Sequence, residues 1–272
     1  MPGRRGRFRR SLPLGFAFAL VMVAAAVGPV AAATFIIVPP PPATGMPPAC
    51  KVGNTTTQLT GYDDWASTLV DWNLRVSSSY APKDLAPVGR AGIPGSGVVR
   101  SFVIPDLAAL TRAARAAGAP IAVEGAYRSY NTQLSTFNHW VAELGYDNAL
   151  LGSARAGHSE HQLGTVIDFK SAGGGDPWHL NGFDWATTAA GAWMMKNAWK
   201  YGFILSYPKG KTSQVCYGYE PWHYRYFGKV TAAAIHASGQ TTRVWLWQQE
   251  HIKRTAFVHA SHLRSALTTQ PL

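Results

Sequence analysis

From Pro105 to Gly118 the apolar and small residues recur at helical spacing, with Leu107, Leu110 and Ala114 on one face and Gly118 as a stop; the pattern predicts a helix. The period then changes. Ile121 to Tyr127 reads as a short strand, and Asn131 to Leu144 as a second helix. Thr165 to Phe169, β-branched and apolar after Gly164, reads as another strand. Thr187 to Tyr201 predicts a helix ended at Gly202, followed by a strand over Phe203 to Tyr207. Helices and strands mix without regular alternation, which predicts an α+β layout and no internal repeat.

The ends of the chain read differently. A basic stretch (Arg4 to Arg10), an apolar run from Leu12 to about Val30 and a small-residue exit at Ala31-Ala32-Ala33 have the three parts of a secretory signal, residues 1–33. An uncleaved anchor is the rival reading, since roughly 20 apolar residues span a bilayer. Pro13, Gly15, Gly28 and Pro29 make the run a poor permanent helix, so cleavage after Ala33 is expected. Arg9-Arg10 leaves Sec and twin-arginine routes both open. No other segment is long and apolar enough to span a membrane. Pro39 to Pro42 and Pro47-Pro48 form a proline-rich, semi-rigid spacer over 34–49. The globular part is expected over 50–239, and the tail over 240–272, where Trp245, Leu246 and Trp247 predict a docked segment before a loose end.

Composition narrows the function. With 47% hydrophobic and only 14% charged residues, the chain can bury a sizeable core. The formal charge of +11 invites a nucleic-acid partner, yet five of those charges are the N-terminal arginines that leave with the signal. No nucleic-acid motif or aromatic-interleaved basic stripe is present, so no nucleic-acid partner is expected. A mildly basic exported chain suits an anionic polymer such as a cell wall. Cys50 and Cys216, the two cysteines, both fall in the exported part, and an oxidising compartment makes a disulfide between them the expectation.

Two stretches carry chemistry: Ser159-Glu160-His161-Gln162-Leu163-Gly164-Thr165-Val166-Ile167-Asp168, and Glu220-Pro221-Trp222-His223. A catalytic zinc needs three His or carboxylate ligands plus an open position, and His161, Asp168 and His223 meet that count for one Zn2+ ion. Glu220, three residues before a ligand, is the candidate general base. Pro221 biases Glu220 away from helix, so the ligands converge from a loop, a strand and a distant segment. A Glu220–Arg225 ion pair is the bland alternative. His139, His158, His179, His236, His251, His259 and His262 read as packed or surface residues; His158, three residues before His161, is the hardest of them to set aside. Trp222, Trp245 and Trp247 read as core, with a cleft-rim role left open for an aromatic.

These stretches resemble the VanY-type zinc D-alanyl-D-alanine carboxypeptidases, of the LAS metallopeptidases, with relatives in the vancomycin-resistance dipeptidases and the hedgehog signalling domain. The signature Ser-x-His-x-x-Gly-x-Ala-x-Asp is met at 159–168 except for Val166, a small apolar replacement, and Glu-x-x-His is met at 220–223. Tyr80 to Leu85, Tyr127-Arg128-Ser129-Tyr130 with Gln133, and Tyr201 to Pro208 are similar as well, so the likeness spans roughly 65–235. It implies a zinc cleft on a small, mostly antiparallel sheet flanked by helices. It also implies that Arg128 faces the scissile carbonyl and steadies the oxyanion, and that Ser159 supports the metal site.

The expectation is an exported, monomeric zinc peptidase that acts on peptidoglycan stem peptides and releases terminal D-alanine. An L,D-carboxypeptidase or an endopeptidase shares the same signature residues. A non-catalytic wall-binding module is the rival from another class. A serine-type enzyme is disfavoured because no Ser-x-x-Lys is accompanied by Lys-Thr-Gly.

Overall fold

In the computed structural model, which describes residues 45–57, 61–178 and 182–249, the first long helix, α1, runs over Ile104–Ala116. Pro105 sits in its first turn, where a missing N–H costs nothing, and Asp106 favours the same end of the helix dipole. Leu107, Leu110, Thr111 and Ala114 form its buried face. The chain leaves through Gly118 at φ +70°, a conformation that suits glycine.

Strands precede and follow α1. β1 (Thr55–Thr56) pairs in parallel with β2 (Leu74–Arg75), and β3 (Leu85–Pro87) pairs antiparallel with β4 (Val98–Arg100). The main sheet has β5 (Ile121–Gly125), β6 (Val166–Ser171), β7 (Phe203–Leu205) and β8 (His223–Tyr226), in the order β5-β6-β8-β7 and antiparallel throughout. Helices α2 (Tyr130–Leu144) and α3 (Tyr146–Gly152) lie between β5 and β6; α4 (Ala189–Asn197) lies between β6 and β7. Short α5 (Thr212–Val215) precedes β8, α6 (Lys229–Ser238) follows it, and α7 occupies 242–249. The α+β layout with its small antiparallel sheet is therefore present, and α1, β5, β6, β8 and α4 enclose the main core around Ile167, Phe169, Trp185, Met194 and Tyr224.

Where the predicted elements stop short, another demand on the backbone explains it. The strand expected to Tyr127 ends at Gly125, because the Ala126 carbonyl accepts from His161 Nδ1 (2.6 Å) and Tyr127 N–H donates to Val98 (3.0 Å). The helix expected to Tyr201 tightens into a 3₁₀ turn over Ala198–Tyr201 and stops at Gly202, φ +91°, where a Cβ would meet the Tyr226 ring at 2.7 Å. The strand expected to Tyr207 ends at Leu205; beyond it Ser206 N–H donates to the His223 carbonyl at 3.2 Å.

The described part of the C-terminal segment, as far as residue 249, is docked. Trp245 and Leu246 pack with Leu69, Phe227 and Ile235, and Arg243 makes a buried ion pair with Asp71 at 2.7 Å. Cys50 and Cys216 form a disulfide across 166 residues of sequence, Cα atoms 5.3 Å apart. Arg155 reinforces that clip by donating to the Gly53 carbonyl and, at 2.7 Å, to Trp72. Among the described residues no helix is long and apolar enough to cross a membrane. The expected signal and its cleavage point, the first part of the spacer, His179, His251, His259 and His262 lie outside the described residues.

Candidate metal centre

Strand register builds the site. Gly125 of β5 stands opposite Asp168 of β6, which stands opposite His223 of β8, so the three line up in one row across the sheet. Gly125 leaves room at this point: a Cβ there would lie 2.8 Å from Asp168 Oδ2. His161 arrives from a 3₁₀ turn, Glu160–Leu163, just ahead of β6. Ser159 caps that turn by accepting from His161 N–H at 3.3 Å. Gly164 ends it at φ +73°, in a space bounded by Arg100, Pro82 and Leu85 that no side chain could share without displacement.

The result is a buried cluster. One ligand-type atom from each of His161, Asp168 and His223 lies within 4.8 Å of the others. Asp168 Oδ2 is 3.2 Å from His161 Nε2, and Asp168 Oδ1 is 3.1 Å from His223 Nδ1. The two rings stand nearly perpendicular, centroids 4.9 Å apart. His161 donates its Nδ1 proton to Ala126, which leaves Nε2 as an acceptor facing the cluster. Neither His161 Nε2 nor Asp168 Oδ1 has a hydrogen-bond partner among the described residues. Buried polar atoms are rarely left so, and these two, gathered with a nitrogen of His223 within 4.8 Å, fit a divalent cation of the zinc class.

Electrostatics agree. Burial would raise the Asp168 carboxyl, but the two imidazoles hold it well below the usual carboxylate range. Burial lowers His161 to about 4, and the positive charge of Arg128 acts in the same direction, so its ring is neutral and able to ligate. Burial would also lower His223, yet the hydrogen bonds its ring donates to Asp168 and Glu160 raise it to about 10. Three acids thus crowd one imidazole pair, an arrangement that attracts positive charge.

Glu220 lies beside this group, Oε2 3.4 Å from His223 Nδ1. Burial pushes its carboxyl up to about 8, against the pull of His223 and Arg128. Arg128 lies in the link between β5 and α2, just before Ser129, which caps α2 by accepting from Thr132 N–H at 3.2 Å. Its own N–H donates to the His161 carbonyl at 3.4 Å, and its Nε has no partner among the described residues. A cleft of about 530 Å3 opens onto His161, Asp168, Glu220 and His223, with Arg128, Tyr207, Tyr217, Trp178 and Trp222 in its walls.

The residues predicted for the metal and its chemistry, His161, Asp168, His223, Glu220, Arg128 and Ser159, therefore all line one cavity. The alternative Glu220–Arg225 pair does not form: the fully buried Arg225 guanidinium donates to Glu160 Oε1 at 2.9 Å. Burial would raise Glu160, but Arg225 and His223 outweigh it and hold it at about 2. His158 is buried elsewhere, donating from Nδ1 to the Asp71 carbonyl at 2.7 Å. His236 stacks on Trp199, and His139 stands at the cleft rim beside Trp140. Trp222 is core and cleft wall at once. Sequence reasoning missed Glu160 and the tyrosine walls Tyr207 and Tyr217; adjacency to His161 was the one available signal for Glu160.

Comparison with known proteins adds the lineage. The family model described as VanY, D-alanyl-D-alanine carboxypeptidase, matches residues 97–229. A D-alanyl-D-alanine carboxypeptidase of Enterococcus faecalis is 34% identical over 146 residues, 50% of this chain and 51% of the relative. The chain spans about half the length of the curated relatives it first matches. Among solved structures, the LdcB LD-carboxypeptidase is 33% identical with TM-score 0.57, covering 66% of this chain and 84% of that one. VanYB in complex with D-alanine-D-alanine is 26% identical with TM-score 0.56, covering 70% and 98%. With the motifs, the antiparallel sheet and the His-Asp-His cluster in agreement, the chain belongs to the VanY family of D-alanyl-D-alanine carboxypeptidases.

Proposed function

We propose that this chain is an exported zinc peptidase that removes the terminal D-alanine from peptidoglycan stem peptides. One observation carries the reading: His161, Asp168 and His223 converge within 4.8 Å with Glu220 beside them, at the floor of an open cleft. In this reading His161, Asp168 and His223 hold one Zn2+ ion. When bound, zinc supplies a Lewis acid that brings the pKa of water toward about 7. Glu220 takes the proton of the attacking water and passes it to the departing amine. Arg128 aims a fixed positive charge at the oxygen that becomes negative, an effect that in a partly dry cleft lowers the barrier by several kcal/mol. Ser159 acts indirectly, by shaping the turn that carries His161.

Export by the N-terminal signal places the enzyme at the cell wall, where a mildly basic surface suits an anionic substrate, and it works as a monomer. The second reading is L,D-carboxypeptidase action on tetrapeptides, favoured by the likeness to the LdcB LD-carboxypeptidase. Zinc-loaded protein given defined penta-, tetra- and cross-linked muropeptides separates the readings by product mass. Release of D-alanine from pentapeptide, abolished by a chelator and restored by zinc, is expected. Release from tetrapeptide alone supports the second reading, and binding without turnover of any substrate overturns both.

A further inference from the structure

Resting on the reading of His161, Asp168 and His223 as metal ligands, we propose that Glu160 is a positioning residue that holds the His223 ring so that Nδ1, and not Nε2, is presented to the cation. Glu160 neighbours His161 in sequence but points the other way, behind the ligand row. Its Oε2 lies 3.0 Å from His223 Nε2, while Oε1 accepts from Arg225 at 2.9 Å. Arg225 is in turn locked by donating to the Trp65 carbonyl (2.7 Å) and the Thr68 carbonyl (2.8 Å). All three residues are at most 3% exposed. An ionised carboxylate can only accept, so Nε2 of His223 keeps its proton toward Glu160, and Nδ1, on the Asp168 side, is the nitrogen left to face a cation. The same logic governs the other imidazole, with a backbone carbonyl in place of the carboxylate: His161 Nδ1 donates to Ala126 and frees Nε2. A carboxylate is the stronger acceptor, so Glu160 makes His223 the more basic of the two ligands, the usual effect of an outer carboxylate on a metal-bound histidine.

The rival is that Glu160 serves solely as the buried counter-ion of Arg225. That role would cost folding stability and leave metal affinity untouched in whatever protein folds. Two variants separate the two roles. Glu160→Gln keeps the shape but weakens the acceptor; the double variant Glu160→Met with Arg225→Met removes the ion pair as a unit, an exchange that buried pairs tolerate. Zinc affinity is measured by competition with a chelator, and folding of the metal-free protein by circular dichroism and thermal melting. The expected result is a 10–100-fold weaker zinc affinity in both variants with the metal-free fold retained. Affinity within twofold of wild type in either folded variant overturns the proposal. Nitrogen NMR of the His223 ring in zinc-loaded wild type needs no variant to fold: a proton on Nε2 and a metal-shifted Nδ1 support it, and the opposite tautomer overturns it. Failure of wild-type protein to bind zinc at all would sink the underlying site reading, a separate outcome.

Discussion

Glu220 Oε2 stands 3.4 Å from His223 Nδ1, with Pro221 and Trp222 between them in sequence. Pro221 keeps Glu220 out of helical conformation, and a turn closes instead, the His223 N–H donating to the Glu220 carbonyl at 3.1 Å. The acid is thereby folded back over the ligand row while its backbone stays outside the sheet. Glu220→Gln should lower kcat by about 10²–10⁴ on a stem peptide, the usual worth of a general base. Zinc affinity should change little. Near wild-type kcat would remove Glu220 from the role.

Arg128 has a buried Nε at the cleft wall with no partner among the described residues. Lysine there would keep the charge but lose the planar fork. Arg128→Lys should cost about 10²–10³ in kcat with a smaller change in KM. An equal effect on KM alone would mark a ground-state binding group.

Gly125→Ala tests the row of residues across the sheet. The added methyl would lie 2.8 Å from Asp168 Oδ2, in a strand position where the backbone is paired on one side with β6. Asp168 must swing away, so zinc affinity should fall by about tenfold or more, the scale seen when support for a ligand is lost. Unchanged affinity by chelator competition would show that the carboxylate has slack.

The Cys50–Cys216 bond closes a very long loop, for which chain entropy sets a ceiling near ~5 kcal/mol, with measured values typically about 2–4 kcal/mol. Cys50→Ser with Cys216→Ser should lower the melting temperature accordingly, by roughly 2–4 °C per kcal/mol. Because Cys216 sits at φ +73° immediately before Tyr217 in the cleft wall, activity below the new melting temperature should also drop. A melting temperature unmoved by reduction would contradict the first expectation.

His158 gives the pH dependence. Burial lowers its pKa from 6.5 to about 4, with Arg155 acting in the same direction. The unfolded chain therefore binds the proton more readily, and folding stability rises with pH through this window. Its contribution is fully present above about pH 6.5 and is lost as the pH falls to about 4. His158→Asn should flatten the melting-temperature profile between those values relative to wild type; parallel profiles would refute it.

The α+β character, α1, α2 and three strands of the main sheet, β5, β6 and β7, were legible because each rests on a local period; β8, which carries His223, was not among the predicted strands. His161, Asp168, Glu220 and His223 were legible as well, since metal chemistry needs those residue types and the two motifs carry them intact. Element ends were less legible: β5 stops at Gly125 because the next carbonyl is used by a histidine 35 residues away. Local propensity holds no record of that demand.

The amino-acid sequence by itself determined which groups could bind a cation, because ligand identity is a property of single side chains. It also set the turns at Gly164 and Gly202, where one residue type relieves the backbone. Only the tertiary structure decided which imidazole nitrogen faces the cluster, and that Arg225 pairs with Glu160 and not with Glu220. Those choices depend on strand register and on desolvation. Two buried charges must find each other wherever the fold leaves them without water, and no local pattern encodes the partner.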